Sequence, residues 1–102
     1  MFESAKCVHL IGAGGIGVSA VGKWLMAQGC VVTGSDAASS AITDDLVRRG
    51  IAITIGHDAK NIPAECNLVV YTEAASEDNV ERVEATARGI RSLGHFGFLG
   101  EV

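Results

Sequence analysis

The chain has 102 residues, 48% of them hydrophobic and only 20% charged, which suits a single domain with a real core and excludes a disordered segment. A formal net charge of −4 with no lysine or arginine cluster argues against a nucleic-acid partner. The longest apolar run, Ile16 to Ala27, is broken by Lys23 and too short to cross a membrane, and the opening "MFESAK" lacks a leader pattern.

The predicted elements alternate along the chain. Lys6 to Ile11 reads as a strand stopped by Gly12, and Ile16 to Gln28 as a helix closed by Gly29. Cys30 to Asp36 is the second strand. Ala41 to Gly50 is a short helix whose early Asp44 and Asp45 and late Arg48 and Arg49 complement the helix dipole. Ile51 to Ile55 forms a third strand, closed by Gly56-His57-Asp58, and Asn67 to Thr72 a fourth. Asp78 to Gly89 is a helix with an acidic start and an arginine end. Ile90 to Leu93 is a fifth strand, and His95 to Val102 a last turn or helix. This alternation implies one α/β domain: a doubly wound parallel five-stranded sheet, strand order 3-2-1-4-5, with helices on both faces. Ligands of such sheets sit beyond the carboxyl ends of the strands, at the switch point beside strand 1.

Gly12, Gly14 and Gly17 satisfy G-x-G-x-x-G between the first strand and the first helix. In that setting the pattern gives a tight turn, lets a diphosphate approach the backbone at Gly14, and allows close helix packing at Gly17. The amides from Ala13 to Gly17 are expected to point at the anion. Asp36 ends the second strand nineteen residues after Gly17, where a carboxylate accepts hydrogen bonds from ribose hydroxyls. Together these features point to a nucleotide diphosphate. Gly17 to Lys23 also fits the first seven positions of an ATP-binding G-x-x-x-x-G-K-[ST] loop. Trp24 replaces the magnesium-binding hydroxyl, however, and the match falls inside the predicted helix, so it reads as chance.

Further stretches join the glycine loop: "HLIGAGGIGVSA" (9–20), "GSD" (34–36), "IGHD" (55–58), "VVYTEAASEDNVE" (69–81), "RGI" (88–90) and the terminal "LGEV". Over nearly its whole length the chain resembles the N-terminal domain of the UDP-N-acetylmuramate–L-alanine ligases, members of the Mur ligase family of cytoplasmic peptidoglycan enzymes. The resemblance implies a Rossmann-like domain that binds the UDP part of UDP-N-acetylmuramic acid and is not catalytic alone. A central domain with a P-loop, binding ATP and Mg2+, and a C-terminal domain would complete the enzyme. That enzyme phosphorylates the muramate carboxylate, and the amine of L-alanine attacks the acyl phosphate.

The resemblance also implies site residues. The Gly12, Ala13, Gly14, Gly15, Ile16 and Gly17 loop holds the diphosphate, and Ser35 and Asp36 face the uridine. His57 lies at the uridine end. Thr72, Glu73 and Ala74 line the diphosphate or sugar side. Two departures stand out: many relatives have a serine where Glu73 stands, and prolines near Ser76 and Val80. An acidic Glu73 beside a diphosphate is unfavourable unless it turns outward. A related ligase that attaches a recycled murein peptide has a very similar first domain.

The remaining polar residues have simpler expected roles. His9 reads as a packed histidine whose nitrogens find partners, and Glu77, Asp78, Glu81 and Glu84 as a solvated helix start. Trp24 is expected in the core, and Phe96, Phe98 and Leu99 as an exposed apolar group. Cys7, Cys30 and Cys66 match no metal or disulfide spacing and read as small buried hydrophobes in a reducing cytoplasm. No metal site, catalytic residue or cofactor is expected in this segment. The alternative function is an NAD-binding regulatory module or the front half of a dehydrogenase. Gly15, Ser35 and His57-Asp58 have no required role in either.

Overall fold

The structure is a computed structural model, and it describes residues 6–101. Five strands, β1 (Cys7–Ile11), β2 (Val31–Asp36), β3 (Ala52–Ile55), β4 (Leu68–Tyr71) and β5 (Arg91–Gly94), alternate with four helices. The helices are α1 (Ile16–Ala27), α2 (Ala41–Arg48), α3 (Val80–Ala87) and α4 (His95–Glu101). All strand pairings are parallel and the order is β3-β2-β1-β4-β5, as the sequence predicts. One element is not among those predicted, a 3-10 turn at Ala59–Asn61 between β3 and β4. Three residues are too few for periodicity to show. The local signal is Asp58, whose carboxylate caps the Lys60 amide at 2.8 Å.

The helix boundaries follow from local chemistry. Ser40 and Thr43 form a reciprocal capping box that starts α2, and the Asn79 side chain accepts from the Glu81 and Arg82 amides to start α3. Gly29 and Gly50, both left-handed, end α1 and α2 and turn the chain directly into the next strand.

Alternation along the strands sorts the core onto two faces. Val8 and Leu10 of β1 pack with Val18, Val21 and Leu25 of α1, Leu46 of α2 and Phe98 of α4. Cys7 and Ile11 face the other way, toward Ile62, Cys66, Val69 and Ala85 of α3. All five residues of β1 are therefore buried, as in a parallel sheet covered on both sides.

Several expectations need correction. Trp24 is 41% exposed and meets the buried Phe98 edge-to-face at 5.9 Å, so it lies over the rim of the core. Phe98 is buried whereas Phe96 is exposed, so they do not form one exposed group, and the side chain of Leu99 lies outside the described residues. Glu77 and Asp78 are solvated and Glu84 pairs with Arg88, but Glu81 is completely buried. Cys7 and Cys66 are buried; Cys30 is partly so. Burial, with Cys66 and Glu65 nearby, pushes the Cys7 thiol up to about 11, leaving a poor nucleophile.

A nucleotide-sized cleft at the carboxyl edge of the sheet

A cleft of about 460 Å3 opens at the carboxyl ends of the strands. It is bounded by the glycine loop after β1, Asp36 at the end of β2, His57 after β3, Thr72 to Ser76 after β4, and the α3 cap Asn79. It therefore straddles β1 and β4, where the chain reverses its direction of winding, the place where open parallel sheets hold ligands. Of the sequence-predicted residues, Gly12, Gly14, Gly15, Asp36, His57, Thr72 and Ala74 line it.

The loop amides divide into two groups. Gly12 and Ala13 both donate to the Ser35 carbonyl at 2.9 Å, and Gly15 donates to the Gly12 carbonyl at 3.0 Å. The Gly14 amide donates to the Asp36 carboxylate at 2.8 Å. Helical hydrogen bonding begins when Ser19 donates to the Gly15 carbonyl, so the amides of Ile16, Gly17 and Val18 are those a helix start leaves unpaired. Gly15, the N-cap, has no side chain to satisfy them. The expectation that amides from Ala13 onward face an anion is thereby narrowed. The first part of the loop spends its donors on closing the turn, and the free donors start at Ile16. Ala13 is itself buried in the core, and the Ile16 side chain is 82% exposed, outside the cleft lining.

Gly12 is fixed by two constraints. Its φ of +82° is left-handed, and a Cβ there would lie 2.4 Å from Thr72 Cγ2. Gly17 does not supply the expected contact with the sheet: a Cβ there would strike the His95 ring of α4 at 2.5 Å. The close approach of α1 to β1 occurs instead at Gly22, where a Cβ would lie 2.6 Å from Leu10.

The Asp36 carboxylate is already engaged within the loop. One oxygen holds the Gly14 amide and the other accepts from Ala38 at 3.3 Å, leaving a second lone pair on each oxygen. Its negative charge at Gly14 steers an anion away from that amide and toward the start of α1. Glu73 turns out of the cleft, where its carboxylate accepts from the Phe96 amide at 3.3 Å. That removes the conflict between Glu73 and a nearby diphosphate. The β4 loop is held from below: Arg82 donates to the Ala75 carbonyl at 2.8 Å and lies 3.8 Å over the Tyr71 ring.

Ser35 and His57 belong to a network behind the cleft. Ser35 is fully buried and donates its hydroxyl to Glu81 Oε1 at 2.7 Å. His9 Nε2 donates to the same oxygen at 2.6 Å, and its Nδ1 lies 2.7 Å from the Thr33 hydroxyl. Glu81 Oε2 accepts from Asn61 at 2.8 Å and from the Asp58 amide at 3.1 Å. His57 Nδ1 sits 3.0 Å from Ser35 Oγ and 3.4 Å from Glu81 Oε2. Burial alone would raise the Glu81 carboxyl; the hydrogen bonds from His9, Ser35, Asn61 and Asp58 outweigh it and bring it down to about 2. Ser35 thus stands behind His57, not against a ligand. Sequence reasoning missed Glu81 because it lies in an acidic stretch. The available signal was His9, a polar ring in an apolar strand that needs an acceptor.

The decoy ATP-loop match, Gly17 to Lys23, is interior to α1, and Lys23 lies 3.8 Å from Asp45. Among the described residues, no helix is long and apolar enough to cross a membrane.

Comparison with known proteins agrees with this architecture. The family described as "Mur ligase family, catalytic domain" matches residues 7–102, and the chain belongs to that family. It is 41% identical over 100 residues to the UDP-N-acetylmuramate–L-alanine ligase of Chlorobium phaeobacteroides, covering 97% of this chain and 21% of that one. Identity to the ligase of the same name from Clostridium tetani is 44% over 95 residues, covering 93% of this chain and 21% of the relative. The chain thus spans about a fifth of the length of these curated relatives. The structure of the UDP-N-acetylmuramate–alanine ligase of Thermotoga maritima superposes with a TM-score of 0.88 at 32% identity, over 95% of this chain and 22% of that one. A murein peptide ligase of Psychrobacter arcticus gives 0.84 at 25% identity, over 94% and 20%.

Proposed function

We propose that this chain is the N-terminal substrate domain of a cytoplasmic UDP-N-acetylmuramate–L-alanine ligase and binds the UDP part of UDP-N-acetylmuramic acid. The observation that carries the reading is the cleft. It joins an uncapped helix start, a strand-end carboxylate and a histidine-bearing turn across the switch point of the sheet. The unpaired amides of Ile16, Gly17 and Val18 and the α1 dipole suit the diphosphate, with no lysine needed. Asp36 and His57, at the β2–β3 side, suit the nucleoside. Thr72 to Ser76 and Asn79 bound the side from which the sugar leaves toward the rest of the enzyme.

On this reading carboxylate activation lies outside this domain. ATP and Mg2+ belong to the central domain, and catalysis to the assembled ligase. Among the solved structures, identity is 32% to the L-alanine ligase and 25% to the murein peptide ligase, which supports the former specificity. Parallel calorimetric titrations with UDP-N-acetylmuramic acid, UDP and NAD test the reading. Binding of both uridine ligands with NAD silent is the expected result; binding of NAD alone would assign the chain to a dinucleotide module instead.

A further inference from the structure

We propose that Glu81 is a positioning residue of the cleft: it holds the His57 ring as the tautomer with its hydrogen on Nδ1, so that Nε2 faces the cleft as a bare acceptor. The hydrogens around Nδ1 are all accounted for. The Ser35 hydroxyl has one, and it goes to Glu81 Oε1 at 2.7 Å. Asn61 Nδ2 has two, given to the Gly56 carbonyl at 2.9 Å and to Glu81 Oε2 at 2.8 Å. The Asp58 amide gives its one to Oε2 at 3.1 Å. Both polar atoms that His57 Nδ1 meets, Ser35 Oγ and Glu81 Oε2, are therefore acceptors toward it, and the hydrogen must be on Nδ1.

The consequence reaches the ligand. Among the described residues no hydrogen bond to His57 involves Nε2, and the half-buried ring lines the cleft. A bare Nε2 selects a hydrogen-bond donor on the nucleoside: an imide N–H of the base or a hydroxyl of the ribose. This part rests on the nucleotide reading above; the tautomer itself does not. Besides Glu81 of α3, the titratable groups around the ring are His9 of β1, Asp36 of β2 and Asp58 of the β3–β4 connection.

Glu81→Gln inverts the count. Asn61 and the Asp58 amide both donate to the Oε2 position, so the new amide keeps its oxygen there and its nitrogen takes the Oε1 position. There it donates to Ser35 Oγ and to His9 Nε2, whose own hydrogen passes to Nδ1 and the Thr33 hydroxyl. The freed serine hydrogen turns to His57 Nδ1, which becomes an acceptor, and the ring hydrogen moves to Nε2.

The test is a long-range nitrogen–proton NMR spectrum of the histidine rings in the free protein, above the range where Glu81 protonates. His57 is expected to show a protonated Nδ1 and a bare Nε2 in the wild type, and the reverse in Glu81→Gln. A wild-type ring with its hydrogen on Nε2 overturns the proposal without need of any variant. Binding then sharpens it. UDP is expected to bind Glu81→Gln about tenfold more weakly. In the wild type, 3-methyl-UDP loses affinity if the partner is the imide, and 2′-deoxy-UDP if it is the hydroxyl. Equal binding of all three by the wild type overturns the acceptor role. Failure of UDP to bind the wild type at all refutes the nucleotide reading, while the tautomer is still decided by the spectrum.

Discussion

On the face of the sheet covered by α1, α2 and α4, the strands bury Val8, Leu10, Val32 and Val70 against other aliphatic side chains. On the α3 face, beside Cys7, Ile11 and Val69, the same strands bury His9 and Ser35 around one carboxylate, with the half-buried Thr33 bonded to His9. Aliphatic packing is non-directional, so the first face sets how much surface is buried and tolerates exchange of similar side chains. The second face is directional. Glu81 accepts from four named donors in fixed directions, and the network ends at His57, which lines the cleft. The difference teaches that stability is spread over both faces, whereas the orientation of the site is concentrated on one.

The sharpest way to break this comparison is to remove the centre of the polar face. Glu81→Ala strands His9, Ser35 and the Asp58 amide without their acceptor and is expected to cost about 4 kcal/mol of stability in denaturant unfolding. Leu25→Ala, on the aliphatic face, is expected to cost about 3 kcal/mol by leaving a cavity. It should leave the His57 ring spectrum unchanged; a change there would show that the faces are not separate.

Acid separates them without mutation. The folded Glu81 carboxyl, at about 2, lies below its ordinary value of 4.5. Its contribution is therefore complete above pH 4.5 and is lost as the pH falls toward 2. The expected loss is about 3 kcal/mol. Glu81→Gln should flatten that part of the stability profile, and an unchanged profile would mean that other carboxylates govern acid unfolding.

A smaller effect is expected at the glycine loop. Gly12→Ala forces a left-handed alanine against Thr72 and should cost about 2 kcal/mol in thermal unfolding. Asp36→Ala should weaken UDP binding by about 1–2 kcal/mol in calorimetry, by freeing the Gly14 amide and removing an acceptor for the ribose. At the surface, Arg49 holds the exposed end of the Asp45 carboxylate at 2.8 Å, with Arg48 and Lys23 adding longer contacts. Asp45→Asn should produce no measurable change in either binding or unfolding.

The strands and helices were legible because each has a strong local cause. β1 is an apolar run interrupted by His9 alone, α1 carries apolar residues at helical spacing, and Gly29 and Gly50 sit where the helices stop. The glycine loop and Asp36 were legible as a motif, but not the division of labour among the amides. That division depends on the Ser35 carbonyl and the Asp36 carboxylate, which reach the loop only once β2 lies beside β1. Glu81 was illegible for a related reason. In α3 the residues turned inward are Glu81 and Ala85, while Val80 and Val83 face solvent, so the helix reverses the usual apolar-in pattern. Its partners stand on β1, β2 and the β3–β4 connection, far away in sequence.

The central claim is that the cleft at the β1–β4 switch point holds a uridine diphosphate. The most direct test maps backbone amide shifts while UDP-N-acetylmuramic acid is added to the isotope-labelled chain. The account predicts the largest movements at Ile16, Gly17 and Val18, at His57 and from Thr72 to Ser76, with α2 and the outer face of α1 still. Movements centred elsewhere, or none at saturating ligand, would contradict it.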